Sequence, residues 1–381
     1  MRQVRSKLPD GETTIFTIMS GLAKEHNAIN LGQGFPNYDC PAGLRERVAY
    51  YLNDGKNQYC PMAGLPALRE VLADKIETLY GLSVSAADEI TIVAGATQAL
   101  FTAIIAFIHT GDEVIVIEPA YDSYIPSIIL AGGVPVPYAL SAPDYSINWD
   151  ELGKLVTDQT KMIIINTPQN PIGKTLKADD LTALQKLTTD TDIIVMSDEV
   201  YEHLIYDGQL HQSVLRYPEL YQRSIAVYSF GKTFHSTGWK IGYCVAPPFL
   251  MDEFRKVHQW NVFCVNSFEQ YALADYLQNS ANYDYLPEFY QQKRDLLADA
   301  MLDSRFVPLA SEGTFFQLFD YSKISQIPDT EFVKEMTVDH KVAAIPVSVF
   351  YSDKRQEGVI RLCFAKTEDM LRQAGERLSL M

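Results

Sequence analysis

Short, almost uninterrupted apolar runs rich in β-branched residues recur through the middle of the chain. They cover Ile90–Ala94, Val114–Glu118, Met162–Asn166, Ile193–Ser197, Ile225–Ser229 and Ile241–Ala246. Runs of this length and composition are typical of strands that are covered on both faces in a mainly parallel sheet. Apolar residues at helical spacing lie between some of them, over residues 97–108 and 179–187. This alternation predicts an α/β domain.

The pattern changes after about residue 275. A long helix is predicted over residues 285–302, followed by short strands near 315–320, 343–346 and 359–364 and by a closing helix over 367–380. This mixture indicates a smaller α+β domain. We therefore predict an N-terminal arm that belongs to the small domain (residues 1–35), a large domain (36–275) and a small C-terminal domain (276–381).

The composition argues against nucleic-acid binding, metal sites and membrane partners. The 381 residues carry a net charge of −16, which would repel the phosphate backbone of nucleic acids. The five cysteines are far apart and form no C-x-x-C pair, and no H-E-x-x-H motif occurs, so we predict no metal site. Because no apolar run is long enough to span a bilayer and no leader-like segment is seen, we expect a cytoplasmic protein with no membrane partner.

Distinctive residues follow five of the predicted strands. Open α/β sheets bind ligands beyond the carboxyl ends of their strands, so we expect these residues to lie near one site. In chain order they are Gly95, Ala96, Thr97, Tyr121, Asn170, Asp198, Tyr201, Ser229, Lys232 and Lys240.

Each of these groups also has an ordinary structural interpretation. Residues 95–97 could be a simple helix N-cap, although bare amides and a hydroxyl at a helix start also bind anions. Asp198 could cap a helix that carries Tyr201 on the same face, but a carboxylate after an apolar strand would be buried and would need a cationic or N–H partner. Lys232 is flanked by glycine and phenylalanines, a setting that removes an ammonium from water and lowers its pKa.

Taken together, the groups fit one kind of ligand. An anion cradle, a stacking aromatic ring, an amide, a buried carboxylate, a phenol and a desolvated lysine match a flat, cationic, phosphorylated heteroaromatic aldehyde. Pyridoxal 5′-phosphate has each of these features, and its aldehyde forms a covalent link to a lysine amine.

The motifs around these residues resemble those of a known family. Residues 229–242 (SFGKTFHSTGWKIG) resemble the cofactor-lysine segment of the class I/II pyridoxal-phosphate aminotransferases of fold type I. Residues 170–173 (NPIG), 198–201 (DEVY) and 360–364 (IRLCF) resemble further motifs of that family. Residues 30–36 (NLGQGFP), 57–59 (NQY) and 197–203 (SDEVYEH) are most similar to the kynurenine/glutamine-transaminase-K branch and its bacterial methionine aminotransferases. The resemblance implies a large domain with a mainly parallel seven-stranded sheet and a smaller α+β domain.

The resemblance implies a role for each cofactor-binding residue. Lys232 would bond to the cofactor and move the substrate's α-proton, and Asp198 would pair with the ring nitrogen. Tyr201 and Asn170 would hydrogen-bond the phenolic oxygen of the ring, and Tyr121 would stack on its face. The phosphate would be bound by Gly95, Ala96, Thr97, Ser229 and Lys240.

The resemblance also implies the substrates and the assembly. An amino acid would donate its amine and a 2-oxo acid would accept it in a ping-pong reaction, with Arg361 binding the α-carboxylate bidentately. Asn170 and the Gly34 backbone would help. Tyr59 would reach the cofactor phosphate of a partner subunit, so the active form would be a homodimer with shared active sites. Phe16, and Phe263 from the neighbouring subunit, would line the side-chain pocket.

Some positions depart from the family pattern. Lys240 stands where many aminotransferases have arginine, and Cys264 stands where some kynurenine-branch members have histidine. No second arginine for an acidic substrate side chain is evident. We therefore expect an apolar donor, with methionine favoured and aromatic amino acids next.

Three other functions fit part of the sequence. Residues 229–232 satisfy the S-x-x-K motif of acyl-serine enzymes, but the S-D-N and K-T-G motifs that accompany it are missing. The same cofactor would also support kynurenine transamination or β-elimination from cysteine S-conjugates. A third alternative is a ligand-sensing module without turnover, which would normally carry a DNA-binding extension that we do not expect here.

Overall fold

The computed structural model describes residues 6–8 and 13–381, and a seven-stranded sheet forms its centre. The strands of the described chain are β1 (Ile29–Asn30), β2 (Ile90–Val93), β3 (Glu113–Glu118), β4 (Val134–Ala139), β5 (Thr160–Asn166), β6 (Ile194–Asp198), β7 (Ser224–Ser229), β8 (Gly242–Val245), β9 (Val307–Pro308), β10 (Phe316–Asp320), β11 (Val342–Ala343), β12 (Ile345–Pro346) and β13 (Val359–Cys363).

The order of strands in the large sheet is β2-β8-β7-β6-β5-β3-β4. Strand β8 runs antiparallel to both of its neighbours, and the other pairs are parallel. The predicted mainly parallel seven-stranded sheet is therefore confirmed. The sequence did not predict the edge strand β4, because Pro135 and Pro137 interrupt its apolar pattern and proline is tolerated in a sheet mainly at an edge.

Helices cover both faces of this sheet and the region beyond it. They are α1 (Ile15–Glu25), α2 (Ala42–Asn53), α3 (Pro66–Tyr80), α4 (Ala96–Phe107), α5 (Tyr124–Ala131), α6 (Trp149–Gly153), α7 (Ala178–Thr188), α8 (Pro218–Tyr221), α9 (Phe230–Thr233), α10 (Pro248–Asn261), α11 (Ser267–Leu277), α12 (Leu286–Ala300), α13 (Asp329–Asp339) and α14 (Glu368–Leu378).

Alternate residues of each central strand enter two different hydrophobic cores. On one face, Val114 and Val116 of β3 pack with residues of α4, α5 and α10. On the other face, Ile115 and Ile163 belong to a larger core that continues into the C-terminal part of the chain. Burial on both faces explains why these strands are apolar runs rather than alternating patterns.

A second, antiparallel sheet of order β12-β13-β10-β9 forms the C-terminal part of the structure. The N-terminal segment joins this region, because β1 pairs in parallel with β11. Strand β13 lies between β10 and β12, and its Arg361 is opposite Leu318 on one side and Ile345 on the other. Arg361 is completely buried, although it is a long charged side chain.

Across residues 6–8 and 13–381, none of the helices combines the length and the apolar character needed to cross a bilayer.

Candidate active site

The start of α4 lies at one end of a cavity of about 150 Å³. Gly95 caps the helix with a φ of +78°, a left-handed conformation that favours glycine. The amides of Ala96 and Thr97 that follow belong to the first turn, where N–H groups have no partner inside the helix and attract anions. Ser229 at the end of β7 and Lys240 line the same cavity.

A buried carboxylate faces the middle of this cavity. Asp198 is the last residue of β6, and its Oδ2 accepts a 2.6 Å hydrogen bond from the Tyr124 hydroxyl. Its Oδ1 accepts a longer bond of 3.3 Å from the Val200 amide. Burial raises the pKa of Asp198 to about 6, and the bond from Tyr124 limits the rise.

The chain after Asp198 forms a turn, not the helix that Asp198 could have capped. The turn nevertheless places Tyr201 in the same cavity as Asp198. Two asparagines brace this region from β5 and the following loop: Asn166 Nδ2 donates to the Asp198 carbonyl at 2.8 Å, and Asn166 Oδ1 accepts from the Asn170 amide at 2.8 Å. Asn170 is thereby fixed in the wall of the cavity that contains the carboxylate.

Lys232 points into the cavity from the short helix α9. Its Nζ lies 5.7 Å from the centre of the Tyr201 ring and 5.3 Å from that of the Phe315 ring, and it donates a long 3.4 Å bond to the Gly34 carbonyl. Burial of the ammonium lowers the pKa of Lys232 to about 8. A lysine in this state exists partly as the neutral amine near neutral pH, which is the nucleophilic form.

A second cavity of about 230 Å³ adjoins the first and shares Tyr121, Asn170, Tyr201 and Lys232 with it. Arg361 forms part of its wall. Nη1 of Arg361 donates to Asn170 Oδ1 at 2.6 Å and Nη2 to the Gly32 carbonyl at 3.1 Å, while the buried Nε has no protein partner in the described residues.

Aromatic rings surround the arginine of this second cavity. The guanidinium lies 3.9 Å from the centre of the Phe316 ring and 5.3 Å from that of Phe16. Gly34 and Phe35 complete the wall. The cavity thus offers one fixed guanidinium among aromatic side chains, which suits a carboxylate attached to an apolar side chain.

Two of the predicted site residues lie apart from both cavities. Tyr59 is 82% exposed and Phe263 is 50% exposed, and their rings pack edge to face with centroids 5.4 Å apart. Neither lines the cavities of this chain. The remaining predicted residues are brought together, since each lines the first cavity, the second or both.

Several residues at the site were not predicted from the sequence. They are Asp122, Tyr124, Asn166, Thr237 and Phe316. Asp122, Asn166 and Thr237 lie within or beside a predicted motif, so closeness in sequence was the available signal for them. Phe316 comes from β10, and nothing in its local sequence indicates that it contacts Arg361.

Comparisons with known proteins agree on one family. The family model described as aminotransferase class I and II matches residues 26–378. A methionine aminotransferase of Escherichia coli (strain K12) is 50% identical over 375 residues, which cover 98% of this chain and 97% of that protein. Human kynurenine–oxoglutarate transaminase 1 is 34% identical over 392 residues, covering 94% and 93% of the two chains. The solved structure of YbdL from Escherichia coli, reported with a methionine aminotransferase function, has a TM-score of 0.98 at 49% identity and covers 100% of both chains.

Proposed function

The chain belongs to the class I and II aminotransferase family, and we propose that its preferred donor is an apolar L-amino acid, methionine foremost. The observation that carries this proposal is the second cavity, where Arg361 stands among aromatic rings as the sole arginine of the lining in the described residues. The 50% identity to a methionine aminotransferase supports the same donor. The acceptor is a 2-oxo acid, and the two substrates react in turn at the same site.

Enzymes of this family use pyridoxal 5′-phosphate, and the residues of this chain fit that cofactor. The buried Asp198 carboxylate forms no ion pair within the described residues, so a protonated ring nitrogen would supply the cation that a buried charge needs. The helix start at Ala96 and Thr97 would hold the phosphate, with Ser229 and Lys240. When bound, the cofactor supplies an aldehyde that takes up an amine and a cationic ring that withdraws electrons from the α-carbon.

The chain's own residues would orient the cofactor ring. Tyr121 lies in the wall of both cavities, where it would stack on one face. Tyr201 and Asn170 would hydrogen-bond the phenolic oxygen. Asp198 would pair with the ring nitrogen and keep it protonated, because a buried carboxylate without a cationic partner is costly.

Lys232 would bond to the cofactor and then carry the α-proton of the substrate. Its lowered pKa allows the side chain to accept and return a proton near neutral pH, as a general base and acid must. The Tyr201 and Phe315 rings lie beside Nζ and make its surroundings less polar than water. Lys232, Asp198 and Tyr201 are therefore the proposed catalytic residues.

Arg361 would fix the substrate by its α-carboxylate. The guanidinium is held in place by Asn170 and the Gly32 carbonyl, so little side-chain freedom is lost on binding. The buried Nε has no protein partner in the described residues, so one donor of the planar group is left unpaired. Asn170 and the Gly34 backbone would complete the carboxylate site, and Phe16 would contact the substrate side chain.

We propose a homodimer with shared active sites, located in the cytoplasm. Tyr59 and Phe263 support the dimer, because both are large, exposed and outside their own chain's cavities. In the dimer, Tyr59 would reach the phosphate of the partner's cofactor and Phe263 the partner's side-chain pocket. The proposed domains are residues 1–35 with 276–381, and 36–275.

Kynurenine is the second candidate donor. The 34% identity to a human kynurenine–oxoglutarate transaminase over most of both chains favours it. It is also an aromatic amino acid, which suits the rings of Phe16 and Phe316.

A single-turnover experiment tests the proposal. The holoenzyme is mixed with methionine in the absence of any 2-oxo acid, and the loss of visible absorption and the oxo acid released are measured together. We expect one equivalent of oxo acid per bound cofactor. Lys232→Ala should still bind the cofactor but release oxo acid at least about 10²-fold more slowly. If kynurenine reacts and methionine does not, the second candidate replaces the first; if neither reacts, the proposed donor class is wrong.

A further inference from the structure

One carboxylate lines the proposed substrate cavity without an obvious structural role. Asp122 follows Tyr121 directly and shares the cavity with Arg361 and Phe16. No hydrogen bond joins its side chain to another residue of the described chain, and the residue remains in contact with solvent at the cavity mouth. We propose that Asp122 determines specificity by repelling a second carboxylate, so that the enzyme selects monocarboxylic amino acids and 2-oxo acids as both donors and acceptors.

This inference rests on the proposed function, because it assigns the substrate class of the same site. The charged groups that line the cavity in the described residues are Asp122, Lys232 and Arg361. Arg361 would bind the α-carboxylate, and Lys232 would be linked to the cofactor. Of these three charged groups, Asp122 alone would then face the substrate side chain.

Asp122 and Arg361 line the same cavity, so a ligand held by Arg361 also lies near the charge of Asp122. The α-carboxylate is common to all substrates, so the effect of Asp122 on it cancels when two substrates are compared. A distal carboxylate adds a like-charge repulsion that an apolar side chain avoids. At the dielectric that applies near a protein surface, such a repulsion over a few ångströms changes affinity by about tenfold or more.

A matched pair of non-reacting ligands isolates this repulsion. Glutarate and valerate share a five-carbon chain and one carboxylate, and glutarate alone carries the second. Their dissociation constants on the holoenzyme, measured by calorimetry, give a ratio that contains no catalytic step. We expect wild-type protein to bind valerate more tightly than glutarate, and Asp122→Asn to move the ratio toward glutarate by about tenfold.

Two further variants separate charge at this position from other changes. Asp122→Glu keeps the charge and should keep the wild-type ratio. Asp158→Asn removes one charge from an exposed turn outside both cavities and should leave the ratio unchanged. Raising the salt concentration should reduce the wild-type discrimination, because a charge in contact with solvent is screened.

The possible results distinguish this inference from the proposed function. If wild-type protein prefers valerate and Asp122→Asn leaves the ratio within about twofold of Asp158→Asn, the role of Asp122 is overturned while the apolar donor class stands. If wild-type protein already binds glutarate more tightly than valerate, the proposed donor class itself is contradicted. A shift in Asp122→Asn that Asp122→Glu does not show supports the inference.

Discussion

At the scale of single residues, the site contains ionisable side chains that are buried, where water stabilises their charged forms poorly. Asp198 and Lys232 are shifted in opposite directions by the same cause, burial, which raises the pKa of the acid to about 6 and lowers that of the amine to about 8. Each group is thereby brought nearer to its neutral form. A cationic ring that bonds to the amine and pairs with the carboxylate would relieve both costs, which is why these two residues bind the same ligand in our proposal.

We predict that Asp198 destabilises the cofactor-free protein as the pH rises. Between its usual pKa near 3.8 and its folded value of about 6, the folded state keeps a proton that the unfolded state has released. Stability is therefore lost from about pH 4 to 6 and stays lower above that range. Relative to wild type, Asp198→Asn should gain up to about 3 kcal/mol over this window. Thermal unfolding midpoints of the two cofactor-free proteins across pH check this.

Tyr124→Phe provides the companion measurement. The Tyr124 hydroxyl stabilises the Asp198 carboxylate by a 2.6 Å hydrogen bond, so its removal should move the upper end of the window above about pH 6. A difference between Asp198→Asn and wild type that does not vary with pH would contradict this explanation.

At the scale of elements, β6 and the turn after it are fastened by a buried ion pair. Glu202 in the turn accepts from Lys75 of α3 at 2.6 Å, from Tyr243 of β8 at 3.0 Å and from Tyr80 at 2.5 Å. Burial, the largest single effect, would raise the pKa of Glu202, but the attraction of Lys75 and the hydrogen bonds from Lys75 and Tyr80, with His203 nearby, together outweigh it and lower the pKa to about 2. Glu202 directly follows Tyr201, so the pair fixes the segment that carries Asp198 and Tyr201.

We predict that Lys75→Met costs about 3–5 kcal/mol of stability, because it leaves the Glu202 carboxylate buried without its cation. The double variant Lys75→Met with Glu202→Gln should regain part of that loss, since no charge then remains. Lys256→Met breaks an exposed ion pair with Glu253 and serves as the control, with little expected change in unfolding midpoint. Equal losses in Lys75→Met and the double variant would show that charge is not the cause.

Strands could be predicted from the sequence where both of their faces are buried. The six predicted strands of the large sheet are confirmed because both faces of each are covered, which leaves a continuous apolar run in the sequence. Strand β4 was missed because its prolines are compatible with an edge position that local pattern cannot reveal. The turn after Asp198 was considered as a helix because a turn held by Lys75 and Asn166 depends on residues far away in the chain.

The same distinction applies to the residues of the site. Lys232, Asp198 and Asn170 were predictable because they follow strands whose carboxyl ends meet at one edge of the sheet. Tyr124 and Phe316 act across the fold: one reaches Asp198 from α5, and the other packs on Arg361 from β10. Such contacts depend on the packing of elements, which a local motif does not contain.

At the scale of the whole molecule, the described chain holds two adjoining cavities but keeps two proposed site residues outside them. Tyr59 and Phe263 pack against each other on the surface, and Trp260, three residues before Phe263, is also strongly exposed. Large exposed aromatic side chains of this kind are enriched at interfaces between subunits. The molecule would thus be complete as an enzyme only when a second copy brings these residues to its cavities.

Subunit mixing tests this arrangement. Tyr59→Phe removes the hydroxyl proposed to reach the partner's phosphate and should weaken cofactor binding, so activity falls when the cofactor is limiting. Lys232→Ala removes the lysine of its own site. A heterodimer of the two variants contains one site with both Lys232 and a partner tyrosine intact. Refolding the variants together should restore about a quarter of the wild-type activity, because half of the dimers are mixed and each has one intact site.

Two controls separate sharing between subunits from other effects. The same variants mixed without unfolding should show only the sum of their separate activities until subunits exchange. The second control carries Tyr59→Phe and Lys232→Ala in one chain and is refolded with an equal amount of wild-type protein. Its mixed dimers contain no complete site if the tyrosine acts across the interface, so about a quarter of the wild-type activity remains, against about a half if each tyrosine serves its own chain.

Two results would contradict the shared site. If co-refolded single variants never exceed the sum of their separate activities, Tyr59 does not act across a dimer. The same conclusion follows if the active holoenzyme sediments as a monomer, because each chain would then contain its whole active site.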